Sequence, residues 1–142
     1  MTYVLEFRTR PDYLLAYLRV DKPDPKISFA YRRDLQAKCI ETGATKLLVV
    51  RDIPSVLSTM DFFQMSEDSV SLLRGIRTAW VNPYPSLHSA LDFSITVANN
   101  RGAIYGLFSD VGSAQKWLTS QVRRPPPAMI PLGIFNRFAP RR

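Results

Sequence analysis

The sequence predicts an α/β domain built on a single mixed, mostly parallel sheet, in the order β-β-α-β-α-β-α-β-α, followed by an extended C-terminal arm. Three observations carry this. Two strand-like stretches lie close together at the start, separated by a Pro11-Asp12 turn signal. Short apolar runs then alternate with segments of helical periodicity, as in strands buried between covering helices. From residue 121 the rhythm stops: five of the eleven prolines and five arginines fall there, with no acidic residue.

The elements follow in order. Tyr3–Arg8 alternates Tyr3, Leu5 and Phe7 with more polar neighbours. Tyr13–Val20 is apolar on both faces, so it is the more central strand of an antiparallel hairpin. Asp21–Pro25 breaks the pattern before a helix over Lys26–Thr42. In that helix Ile27, Tyr31, Leu35 and Cys39 recur every fourth residue, Arg32, Arg33, Asp34 and Lys38 take the other side, and Gly43 terminates it. Lys46–Val50 is a short continuous apolar strand. A second helix is expected from about Ser55, just after Pro54, to Asp68. Ile76–Val81 is the next strand, and Asn82-Pro83-Tyr84-Pro85 turns the chain into a helix over Ser86–Asn99. Ala103–Phe108 is the last strand, and Asp110 is placed to cap a short helix carrying Ala114, Trp117 and Leu118.

The chain has 142 residues, which suits one domain over residues 1–120 and an arm over 121–142. Its 46% hydrophobic and 22% charged residues exclude a wholly disordered chain. One cysteine and one histidine exclude a disulfide framework and a multi-His or multi-Cys metal centre. No apolar run reaches the length of a membrane span, and the first ten residues have no signal-peptide core, so the cytoplasm is the expected compartment. The net charge of +7 is mostly a property of the arm; without it, fourteen basic residues face twelve acidic ones. A near-neutral body argues against nucleic acid as a partner.

Several stretches resemble the STAS superfamily, in particular its SpoIIAA-like branch, to which anti-sigma-factor antagonists belong. They are KLLVVRDIPSVLSTMDFF at 46–63, RGIRTAWV at 74–81 and VANNRGAIYGLFSDVGSAQKWL at 97–118. The resemblance spans about residues 3–120 and implies a bacterial, non-catalytic regulatory or scaffold module that binds protein. Phospho-regulated members carry a switch serine in a Met-Asp-Ser-Ser-Gly context. Here the matching stretch is Met60-Asp61-Phe62-Phe63-Gln64, so phenylalanines stand at the serine positions. The SpoIIAA-like branch also resembles lipid-carrying folds, which implies an alternative role as a carrier of a small lipophilic or anionic ligand.

Chemical motifs are scarce. There is no G-x-G-x-x-G after a strand and no Walker loop, so neither an enzyme nor a cofactor is expected. Cys39, on an apolar stripe, reads as a buried inert thiol. Candidate binding residues fall in three groups. At the strand ends, Arg51, Asp52, Asn82 and Asp110 could meet a small acidic ligand near helix N-termini, or simply cap and turn the chain. On the second helix, counting about 100° per residue from Val56, Met60 and Phe63 fall inside, while Met65 and Phe62 fall on the outer face. On the arm, Ile130, Leu132, Ile134, Phe135 and Phe138 are too apolar for a plain solvated tail. The last two groups need cover, from the chain's own domain or from another chain. A homodimer follows if copies match the patches between them.

Overall fold

The computed structural model describes residues 3–120, with the side chains of 63–69 outside the described set. Its elements are β1 (Tyr3–Thr9), β2 (Leu14–Val20), α1 (Pro25–Thr42), β3 (Lys46–Asp52), α2 (Thr59–Leu72), β4 (Arg77–Val81), α3 (His88–Asn100), β5 (Ile104–Phe108) and α4 (Val111–Thr119). A single 3-10 turn, Pro85–Leu87, leads into α3. The expected order is found. The largest boundary difference is α2, which starts at Thr59 and not near Ser55.

The strands lie side by side in chain order. β1 is antiparallel to β2, with Leu5 opposite Leu18; the other pairings are parallel, with Leu15 beside Leu48, Leu48 beside Ala79 and Ala79 beside Gly106. Alternation along each strand divides the side chains between two faces. One face, with Leu14, Ala16, Leu18, Leu47, Val49, Trp80 and Tyr105, packs against α1, α2 and α3. The other, with Leu15, Leu48, Ala79 and Val81, packs against α4 through Ala114 and Leu118. Leu47, Leu48, Leu35 and Leu118 are wholly buried. Each such leucine contributes roughly 1.5–3 kcal/mol by leaving water.

Local chemistry sets the helix ends. The Asp24 carboxylate accepts from the Ile27 N–H at 2.9 Å, and Pro25 opens α1 where no N–H is needed. The helix stops at Gly43, whose φ of 73° is the left-handed conformation, and the Ala44 N–H then donates to the Cys39 carbonyl at 2.9 Å. Asn99 ties the end of α3 to β5: its amide donates to the Tyr105 carbonyl and accepts the Tyr105 N–H. α4 lies close on β5 because Gly106 has no side chain; a Cβ there would come within 2.8 Å of the Phe108 ring and 3.3 Å of Trp117.

A Gly43→Ala substitution meets no neighbouring atom, so its cost is conformational. It is expected to lower unfolding stability by about 1 kcal/mol in urea melts, with an unchanged m-value.

Candidate functional site

β3 carries the last turn of its alternation into the site. Leu47, Val49 and Arg51 face the helices, while Leu48, Val50 and Asp52 face the α4 side. Arg51 is therefore carried into the interior and is only 8% exposed. Its guanidinium donates to the carbonyls of Ile53 and Ser55, both at 3.3 Å. On α1, Arg32 is not on the outer side with Arg33 and Lys38 as the sequence suggests, but turns inward beside the buried stripe of Ser28, Leu35 and Cys39. It donates to the Ser28 carbonyl at 3.3 Å and the Tyr31 hydroxyl at 3.2 Å. Its guanidinium carbon lies 5.1 Å from the Tyr31 ring centre and 5.2 Å from that of Trp80.

The two arginines border one cleft under α2 and α3. Trp80, Tyr105 and Leu107 of the sheet form its floor, Phe62 and Val70 of α2 and Leu91 and Ile95 of α3 its apolar walls. A second lobe passes under the β3–α2 loop, past Val56 and Leu57, and shares Arg32, Arg51 and Phe62 with the first. Burial would raise the Tyr31 phenol, but the charges of Arg32 and Arg51 hold it below its ordinary value. Burial lowers the Arg51 guanidinium, opposed by Tyr31 and reinforced by the like charge of Arg32; it stays protonated throughout the physiological range. Among the described residues lining the cleft there is no carboxylate and no histidine. What this lining offers is donors and apolar surface.

The strand-end residues are not brought together as one ligand site. Asp52 lies on the face opposite Arg51, 3.9 Å from Arg19, and accepts the Tyr84 hydroxyl. That hydrogen bond is the leading reason the Tyr84 phenol is raised. Asn82 is buried and shapes the turn, donating to the Tyr84 carbonyl and accepting its N–H. Asp110 caps α4, accepting from the Ser113 N–H at 2.8 Å, which depresses its carboxyl. Cys39 is 1% exposed and burial pushes its thiol up to about 11, the state of an inert core cysteine.

Phe62 corrects an expectation. It is not on the outer face but 8% exposed, inside the cleft, while Met60, expected inside, is 69% exposed. Val56 and Leu57 lie in the loop before α2 and so do not mark the core face of the helix. The true cap is Ser58, whose hydroxyl accepts from the Asp61 N–H at 3.1 Å. The buried face is marked by Phe62 and Leu73, which are eleven residues apart and share a face, since eleven steps of about 100° nearly close three turns. The side chain of Met65, and the arm residues Ile130, Leu132, Ile134, Phe135 and Phe138, lie outside the described residues.

Arg32, Trp80 and Tyr105 were not singled out for binding by sequence, although two signals were present. Ser28, Arg32, Leu35 and Cys39 have the spacing of one helical stripe, and Arg51 is in phase with Leu47 and Val49.

Comparison with solved structures bears on this architecture. An anti-sigma factor antagonist from Mycobacterium paratuberculosis superposes with a TM-score of 0.56, over 82% of this chain and 94% of that one, at 6% sequence identity. The chain has the STAS-like fold of an anti-sigma factor antagonist. No protein-family model matches the sequence, and no curated protein does. Within this STAS-like fold, the phenylalanine standing where the resemblance places a switch serine is a wall of the cleft. Among the described residues no helix is long and apolar enough to cross a membrane, and no group of three acidic, histidine or cysteine side chains could hold a metal ion.

Because Phe62 is buried, Phe62→Asp is expected to destabilise the fold by about 3 kcal/mol or more. Thermal melts followed by circular dichroism check this; an unchanged midpoint would return Phe62 to the surface.

Proposed function

We propose that this chain is a non-catalytic regulatory or scaffold module of the cytoplasm that works by binding protein, with a second copy of itself as one partner. The observation that carries this is the uneven cover of the sheet. α4 packs over β3, β4 and β5, and the neighbouring part of the same face lies open. There Val4 is 53% and Tyr17 40% exposed, along a groove of about 580 Å³ that also includes Val50. Glu6, Arg19, Asp52 and Tyr84 surround these apolar residues. An apolar strip with a polar rim is the usual anatomy of a protein-binding surface.

The proposed occupant is the arm of the second copy. The arm continues from the end of α4, the helix that covers the adjacent part of this face. Its 22 residues could reach roughly 70 Å if extended, ample to cross to a neighbouring copy. Ile130, Leu132, Ile134, Phe135 and Phe138 would supply the apolar contacts in the groove, and Met65, on α2 at the opposite face of the sheet, would be a separate contact with a partner. Reciprocal exchange gives a closed two-fold dimer, with both grooves filled. The fold neighbour is named as an antagonist of an anti-sigma factor, itself a protein-binding role, which supports the class of function. The reading includes no phosphoserine switch at the positions of Phe62 and Phe63.

Light scattering of the full-length chain over a concentration series tests it. The expected result is twice the chain mass for the wild type, and a shift towards one chain mass for Tyr17→Asp and Phe135→Asp, with unchanged circular dichroism. A wild type that stays at one chain mass up to roughly 100 μM, a weak limit for a functional dimer, would overturn the self-association.

A further inference from the structure

The cleft between the sheet and α1–α3 holds more hydrogen-bond donors than the protein uses. The Nε of Arg32, the indole Nε1 of Trp80 and the hydroxyl of Tyr105 are all buried and have no hydrogen-bond partner. Trp80 is 4% and Tyr105 6% exposed, and both line the same cavity as the two arginines. The Tyr105 hydroxyl lies near enough to the Arg32 guanidinium to feel its charge. Burial raises this phenol despite that positive charge, so it keeps its proton and remains a donor.

Charge gives the same answer. Two guanidinium groups border one buried space, and among the described residues neither has a carboxylate within ion-pair distance. Uncompensated buried cations are costly, and cation–π stacking on Tyr31 and Trp80 offsets only part of that. An oxyanion is the partner that satisfies unpaired N–H and O–H donors and positive charge together.

Size and lining define the rest of the ligand. The cavity volume is about 50 Å³, on the scale of one small head group, and the cleft is partly open, so an apolar body would extend along its walls toward solvent. Phe62, Val70, Leu91, Ile95 and Leu107 make the remaining walls apolar. Water alone could satisfy the donors, but it gains nothing from those walls.

We propose that Arg32, Arg51, Trp80 and Tyr105 form the head-group site of a cavity that binds an anionic amphiphile, a single carboxylate or phosphate on an apolar body. The site is separate from the open sheet face and does not depend on the self-association proposed above.

Calorimetric titration of the full-length protein tests it with four probes. Decanoate and decyl phosphate carry the two possible heads on one body, decanol is the body alone, and inorganic phosphate is the head alone. At least one of the two amphiphiles should bind, at least about tenfold more tightly than decanol or phosphate, because it uses both halves of the site. Arg51→Met and Arg32→Met should each weaken that amphiphile at least about tenfold. Circular dichroism should show that both variants fold, since methionine keeps most of the apolar volume of each side chain. Trp80→Phe keeps the apolar bulk and should weaken binding less. Failure of both amphiphiles to bind at roughly 1 mM would overturn the proposal, as would decanol binding equally well. So would arginine variants that fold and bind like the wild type. Inorganic phosphate binding as tightly as decyl phosphate would overturn the apolar half.

Discussion

The alternation of β3 is the constraint on which the other features depend. This strand is paired on both sides and buried on both faces, so every residue must go to one layer or the other. Leu47 and Val49 anchor the helix layer, and Leu48 and Val50 anchor the α4 layer. The same two-residue period separates Arg51 from Asp52, neighbours in sequence that could have formed an ion pair. Arg51 is carried under the helices, and Asp52 is left to Arg19 and Tyr84 on the far side. A one-residue slip would exchange them and place a carboxylate beside Arg32.

The consequence is an interior with positive charge and a donor surplus. In a core designed only for stability, positions such as 32 and 51 would hold apolar residues of similar volume, because burying a charge without its partner opposes folding. Local carbonyls of Ser28, Ile53 and Ser55 and the faces of Tyr31 and Trp80 make the arrangement tolerable. Phe62 and Leu91 then limit access from solvent. The aromatic side chain of Phe62, near the start of α2, contributes a wall to this cavity.

The second layer is built differently. A nine-residue helix cannot cover five strands, and α4 is held over β3–β5 by Ala114, Leu118 and the close approach at Gly106. Arg77 reinforces that position, stacking 3.9 Å from the centre of the Trp117 ring and donating to the Trp117 carbonyl. Val4 and Tyr17 are left open as a result. The helix side is thus suited to enclosing a small molecule, and the α4 side to meeting another polypeptide.

The sequence by itself determined the element order, the apolar stripe of Tyr31, Leu35 and Cys39 on α1, and the helix ends at Gly43 and Asp110. These are short-range matters, fixed by apolar period, by a carboxylate within reach of an N–H three residues on, and by glycine's access to left-handed backbone. It did not determine which face of α2 is buried, because Pro54 and Ser55 imitate a helix start while Ser58 makes the real cap, and Val56 and Leu57, which belong to the loop, mark the wrong face as the core. Only the tertiary structure decided that Arg32 from α1, Arg51 from β3, Trp80 from β4 and Tyr105 from β5 meet around one space. They come from four elements brought together by parallel strand pairing, and no local pattern records such a distance.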